Sequence, residues 1–156
     1  MNTSINKTLS RLFAVQILFQ LDFNEKMNLD KLHDINNKEI NEIYNNLKDI
    51  NIGELKRSSV DKKWFSLLVT KVFRNRDKID KQLSKKFVDD WSIDRMDSTL
   101  VNILRCAYIE LIEFSNVPKN VVISEYTNIA ASFFNKSEVN FVNGLLDKFS
   151  SDHHKG

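Results

Sequence analysis

Glycine and proline are almost absent from this chain, with three of the first and one of the second in 156 residues. A β-rich fold of that length turns often, and its turns need glycine for positive φ and proline for a preset φ. With so few of either, the chain has to travel in long helices, and the expected class is all-α. Hydrophobic residues at 42% and charged residues at 28% are the balance of a folded domain, not of a disordered one. The length suits a single domain with a sizeable core.

Apolar residues recur at helical spacing in several blocks. The first covers about residues 4–23, with Leu9, Phe13 and Ile17 four apart and Leu12, Val15 and Phe19 widening the apolar surface. Residues 24–37 are polar and Asn-rich and read as a loop; a weaker helix over about 38–51 rests on Ile40, Ile43, Tyr44 and Leu47. Gly53 and the Ser58-Ser59 pair mark a break, and Ser58 with Asp61 has the spacing of a capping box. A third helix runs through Trp64, Phe65, Leu68, Val69, Val72 and Phe73, bending or restarting near Arg76 and continuing to Phe87. Trp91 and Ile93 fall in a short connector. Asp97 or Ser98 then caps a strongly apolar helix through Leu100, Leu104, Ala107 and Leu111. Pro118 opens another, carried by Val122, Ile123, Tyr126 and Ile129, and Ser137 is the expected N-cap of a last helix ending near Phe149. The expected organisation is one domain over residues 1–150, built as two sub-bundles of about 1–88 and 89–150 that share a core. Residues 151–156 form a disordered tail.

The net charge of +2 is too small to announce a nucleic-acid binder, but its distribution is uneven. Residues 71–86 carry seven basic side chains against Asp77 and Asp80, whereas residues 89–113 carry six acids against Arg95 and Arg105. The first 21 residues hold Lys7 and Arg11 and no acid. One surface for phosphate and another for a basic partner would fit this asymmetry, and so would ordinary solvated helix faces.

The residues for most catalytic chemistry are missing. Three glycines at 53, 144 and 156 make no phosphate-cradling loop. His33, His153 and His154 show no metal-ligand spacing with Cys106, and no nucleophile has a base nearby. The chain is therefore read as a non-enzyme without metal or cofactor. A lone cysteine inside an apolar helix is a buried structural thiol suited to a reducing compartment. The apolar residues 12–21 are interrupted by Gln16 and Gln20 and are too short to span a bilayer, so no membrane role and a cytoplasmic location are expected.

Five groups of residues in order resemble the NusB family of bacterial transcription antitermination factors, over nearly the whole chain. They are Arg11, Ala14, Gln16, Leu18 and Phe19; Trp91 and Arg95; Ile103, Leu104, Arg105, Ala107, Glu110 and Leu111; Pro118, Val122, Ile123 and Glu125; and Phe141, Val142, Asn143, Gly144, Leu146 and Asp147. The resemblance implies two small three-helix bundles. It implies a heterodimer with a small-subunit ribosomal protein, NusE, that binds boxA-type single-stranded RNA. That pair acts in an RNA polymerase antitermination complex, chiefly in ribosomal RNA operons.

RNA contacts in the family cluster on the first and last helices, which makes Lys7, Arg11, Gln16, Phe19, Asn140 and Phe141 the candidates here. Lysine and arginine would hold phosphates, Gln16 and Asn140 reach base edges, and Phe19 and Phe141 stack. Phe141 lies roughly 100° or more from the stripe of Val139, Val142, Leu146 and Phe149, so it is either a stacking platform or a contact to the neighbouring bundle. Asp94 and Asp97 are candidates for docking the basic protein. Arg105 reads as a structural tie between the bundles, Trp64 and Trp91 as core anchors, and Gly144 as a site of close helix approach.

The arginine-rich start of the family's first helix is here Lys7-Thr8-Leu9-Ser10-Arg11, which weakens phosphate binding. Phe19 stands for a common tyrosine, and Ser124-Glu125-Tyr126 for a more typical Asn-Glu-Ala. Two alternatives remain: a helical adaptor or homo-oligomer with little RNA binding, and the RNA-binding part of a ribosomal RNA methyltransferase.

Overall fold

The computed structural model describes residues 3–28, 61–88 and 91–152. They form six α-helices and one short 3-10 turn, with no strand among them. The chain divides into two compact units, residues 1–74 and 75–156. The expected helix over 38–51, the Ser58 half of the capping box and the tail 153–156 lie outside the described residues.

In the first unit, α1 (Thr3–Asn28) packs on α2 (Lys62–Arg74). Leu9, Phe13, Ile17 and Leu21, four apart, are buried along α1, together with Ala14, Val15 and Leu18. The helix runs five residues beyond the expected end at Phe23. Residues 24–28 contain no glycine or proline, and Glu25, Lys26 and Met27 are good helix formers, so nothing stops it there. The partner face of α2 is Phe65, Leu68, Val69, Val72 and Phe73.

Asp61 joins the two helices. Its Oδ1 accepts from the Trp64 N–H at 3.1 Å, the N-cap bond that satisfies an otherwise orphaned donor. Its own N–H donates to the Ser10 hydroxyl of α1 at 2.8 Å, and Oδ2 pairs with Lys7 at 3.3 Å.

The second unit begins where the helix breaks at Asn75, whose φ of −113° and ψ of 17° leave the helical region. The restart at α3 (Arg76–Ser84) matches the expected bend. Ile79 and Leu83 are buried along this helix, which packs on the helix over 98–113. The 3-10 turn Ile93–Arg95 leads into α4 (Ser98–Glu113), which Asp97 caps by accepting from the Thr99 N–H at 2.8 Å. Pro118 occupies the N-cap of α5 (Lys119–Phe133), where its missing N–H costs nothing. The last helix, α6 (Lys136–Asp152), starts one residue before Ser137 and ends three beyond Phe149. Asn135 takes the place expected of Ser137, its carbonyl accepting from the Val139 N–H at 3.1 Å.

Helix α4 is the hub of this unit and packs on α3, α5 and α6. Its polar residues are buried and satisfied. Arg105 grips Asp80 of α3 with two bonds of 2.9 and 2.7 Å and donates to Asn102 at 3.1 Å. Asn102 in turn donates to the Ser98 carbonyl at 3.0 Å. Arg105 is thus structural, and it ties α3 to α4. Glu110 accepts from the hydroxyl of buried Tyr126 on α5. Gly144 departs from expectation: a Cβ built there meets no described atom within 4 Å, so no helix approaches it. A mid-helix glycine costs about 1 kcal/mol relative to alanine, and internal packing does not explain this one.

Asp80→Ala leaves the Arg105 guanidinium half-paired and is expected to cost about 2–3 kcal/mol in urea denaturation. The double substitution with Arg105→Met recovers most of that loss, and an additive result would show the pair to be unimportant. Burial, reinforced by the charge of Glu110, raises the Cys106 thiol well above its ordinary pKa. Ellman's reagent is therefore expected to label Cys106 only at the rate of unfolding, and fast labelling at neutral pH would contradict its burial.

Candidate nucleic-acid interface

Helix α1 presents part of the expected RNA surface. Lys7 and Arg11, one turn apart, both lie over the Trp64 ring, with Nζ at 5.1 Å and the guanidinium carbon at 5.2 Å from its centroid. Lys7 is half-buried and paired with Asp61. Arg11 is only 3% exposed. Its cation is held against an aromatic face inside the unit, where it stabilises packing. Trp64, expected as a core anchor, is half-buried and serves as the platform for both cations.

Farther along α1, Gln16 is half-buried and Phe19 is 40% exposed. Phe23, one turn beyond Phe19, is 49% exposed and extends the same stripe. It was not among the candidates, because the expected end of the helix fell on it. The two phenyl rings share one face of α1 and are partly open to solvent.

The second unit holds the other group, on α6. Asn140 is exposed. Half-buried Phe141 stacks on Trp91, with ring centroids 3.9 Å apart and an interplanar angle of 13°. Phe87 braces it at 5.6 Å and 60°. Phe141 therefore packs within its own unit and forms one layer of an aromatic stack, while the buried stripe of α6 is Val142, Leu145, Leu146 and Phe149. Trp91, expected in the core, is the half-buried second layer. Lys85 and Lys86 directly precede Phe87; Lys85 is exposed and Lys86 half-buried. Aromatic layers have the chemistry to receive an unpaired base, and lysines to hold a phosphate.

Asp94 and Asp97 are both exposed, at the 3-10 turn and the start of α4. Asp97 already caps α4, and exposed Arg95 stands between the two, its Nε 3.4 Å from the Ser92 hydroxyl. The acidic patch is smaller than its sequence suggests. Each group of candidates is assembled within its own unit: Lys7, Arg11, Gln16 and Phe19 in the first, and Asn140, Phe141, Asp94 and Asp97 in the second. Among the described residues no cluster of three or more His, Cys, Asp or Glu is placed to hold a metal, and no helix is long and apolar enough to cross a membrane.

The model of the NusB family matches residues 8–151. The transcription antitermination protein NusB of Allorhizobium ampelinum is 33% identical over 148 residues, covering 95% of this chain and 88% of that protein. Its counterpart in Novosphingobium aromaticivorans is 34% identical over 143 residues, covering 92% and 91%. Among solved structures, T. maritima NusB is similar with a TM-score of 0.71 and 25% identity, over 95% of this chain and 92% of that one. A complex of the antitermination factors NusB and NusE with double-stranded RNA contains a chain with the same fold, at a TM-score of 0.71 and 20% identity, covering 95% and 98%.

Removing the buried cation separates packing from ligand binding. Arg11→Ala is expected to lower stability by about 1–2 kcal/mol in urea denaturation, because Trp64 loses a cation and its packed stem. Lys7→Ala should cost about 0.5 kcal/mol. Equal stability of Arg11→Ala and the parent would show that Arg11 is not held against Trp64.

Proposed function

Because the chain belongs to the NusB family, we propose that it is a transcription antitermination factor that holds boxA-type RNA jointly with a small-subunit ribosomal protein of the NusE type. The pair would act in an RNA polymerase antitermination complex, chiefly in ribosomal RNA operons and in the cytoplasm where transcription takes place. The observation that carries the reading is the half-buried Trp91–Phe141 stack, braced by Phe87, which Lys85 and Lys86 precede in the chain. Stacked rings receive unpaired bases of any sequence, lysines hold the phosphates, and Asn140 adds an exposed carboxamide for a base edge. The related complex that contains NusB, NusE and RNA supports the joint mode of binding.

On α1, Phe19 and Phe23 offer stacking surface, Gln16 a carboxamide, and Lys7 the remaining phosphate contact. With Arg11 buried, the start of α1 is poor in free cations, so the RNA affinity of the chain alone is low and the partner supplies much of the rest. Asp94 is the better of the two acidic candidates for docking the basic partner, since Asp97 is engaged as a cap.

The test is fluorescence anisotropy of labelled boxA-type RNA across a salt series, with the protein alone and with the NusE-type partner. Cooperative binding is expected, weakened about fivefold or more by Phe141→Ala through loss of one stacking layer. Lys85→Ala should reduce the salt slope by about 0.7, the value for one phosphate on a single strand. No preference over scrambled RNA with the partner present at low salt would overturn the reading.

A further inference from the structure

Helices α5 and α6 leave an open groove of about 340 Å³ between them. Asn120, Ile123, Ser124, Thr127 and Asn128 line it from α5, and Asn143 and Asp147 from α6, with no lysine or arginine in the lining among the described residues. The Thr127 hydroxyl oxygen is buried without a hydrogen-bond partner among the described residues, so the fold itself leaves this polar group unsatisfied.

Along the outer face of α6, Asn140, Asn143, Gly144 and Asp147 are all exposed at three- and four-residue steps. Gly144 sits in this row with open space where its Cβ would be. Glycine there weakens the helix and gains no close contact among the described residues, but it lets a ligand lie directly on the helix backbone.

We propose that this groove reads a base, with the Asp147 carboxylate accepting from an unpaired guanine. Guanine is the one standard base with two neighbouring N–H donors on its Watson–Crick edge, N1–H and N2–H, and the two oxygens of a carboxylate match them side by side. Asn143 supplies a carboxamide to the same base edge, and Thr127 reaches it by rotation about χ1. A lining of amides, hydroxyls and one carboxylate, with Ile123 as an apolar wall, repels phosphates and suits the flat face and polar edge of a base, which is the division of labour between sequence reading and backbone holding. Phosphates would lie outside the groove, where Lys136 and Lys148 are exposed on the same helix. Continuity with Asn140 and Phe141 on α6 favours RNA over a protein segment as the occupant. The proposal rests on the RNA-binding reading above.

The experiment measures anisotropy of the complex with the NusE-type partner, using boxA-type RNAs in which each position in turn is guanine or adenine. The wild type is expected to show one position at which guanine binds about tenfold tighter than adenine. Asp147→Asn should abolish that difference while leaving the salt slope unchanged. Gly144→Ala should weaken binding about fivefold although it raises the melting temperature by about 3 °C, so misfolding cannot explain the loss. Wild-type discrimination retained in both variants overturns the proposal alone. Loss of partner affinity with RNA discrimination intact also overturns it, and makes the groove a protein-docking surface. A wild-type complex that binds no RNA overturns the antitermination reading together with it.

Discussion

A helix buried around its circumference has to satisfy, inside the protein, every polar group that it carries. Helix α4 is in that position, with Asn102, Arg105 and Glu110 buried among its apolar residues. Each finds a partner that fixes something larger. Arg105 draws α3 in through Asp80, and Glu110 draws α5 in through Tyr126. On the side facing α6, Tyr108 meets Phe149 edge-on at 5.3 Å. Apolar packing alone would tolerate sliding of these helices; directional bonds to a buried guanidinium and a buried carboxylate do not. The fixed placement of α6 then carries through to Phe141 and its neighbours.

The first unit solves a similar problem at its surface. Asp61 combines a helix cap, a bond to Ser10 and an ion pair with Lys7, so the start of α2 is set in register with α1. Trp64 follows within the first turn and meets Lys7 and Arg11. The same lysine that helps define the register is also the one proposed to contact RNA. If it does, affinity and stability are coupled at this point.

Much of the fold was readable in the sequence because its determinants are local. Apolar spacing marked α1, α2, α4, α5 and α6, and Asp97 and Pro118 marked the starts of α4 and α5. The seat of α3 was less legible, because it depends on Ile79 and Leu83 meeting α4, a contact that no short window encodes. Tyr126, an oddity at the level of motif, gains its reason from Glu110 only once the helices pack. In the candidate site, the helical wheel correctly set Phe141 off the buried stripe, but its layering on Trp91 is a long-range contact. The contact of Arg11 with Trp64 was hidden for the same reason, since Trp64 lies far along the chain. Gly144 shows the opposite case, in which the residue type was informative and the assumed neighbour was absent.

The chain has two tryptophans, Trp64 and Trp91, and each unit holds one. Their surroundings differ: one ring faces two cations, and the other lies flat on a phenyl ring. Indole emission responds to both kinds of neighbour, so each unit carries its own built-in optical probe. Replacing either tryptophan by phenylalanine would leave a single emitter, and the fluorescence of the unlabelled protein would then follow one unit at a time.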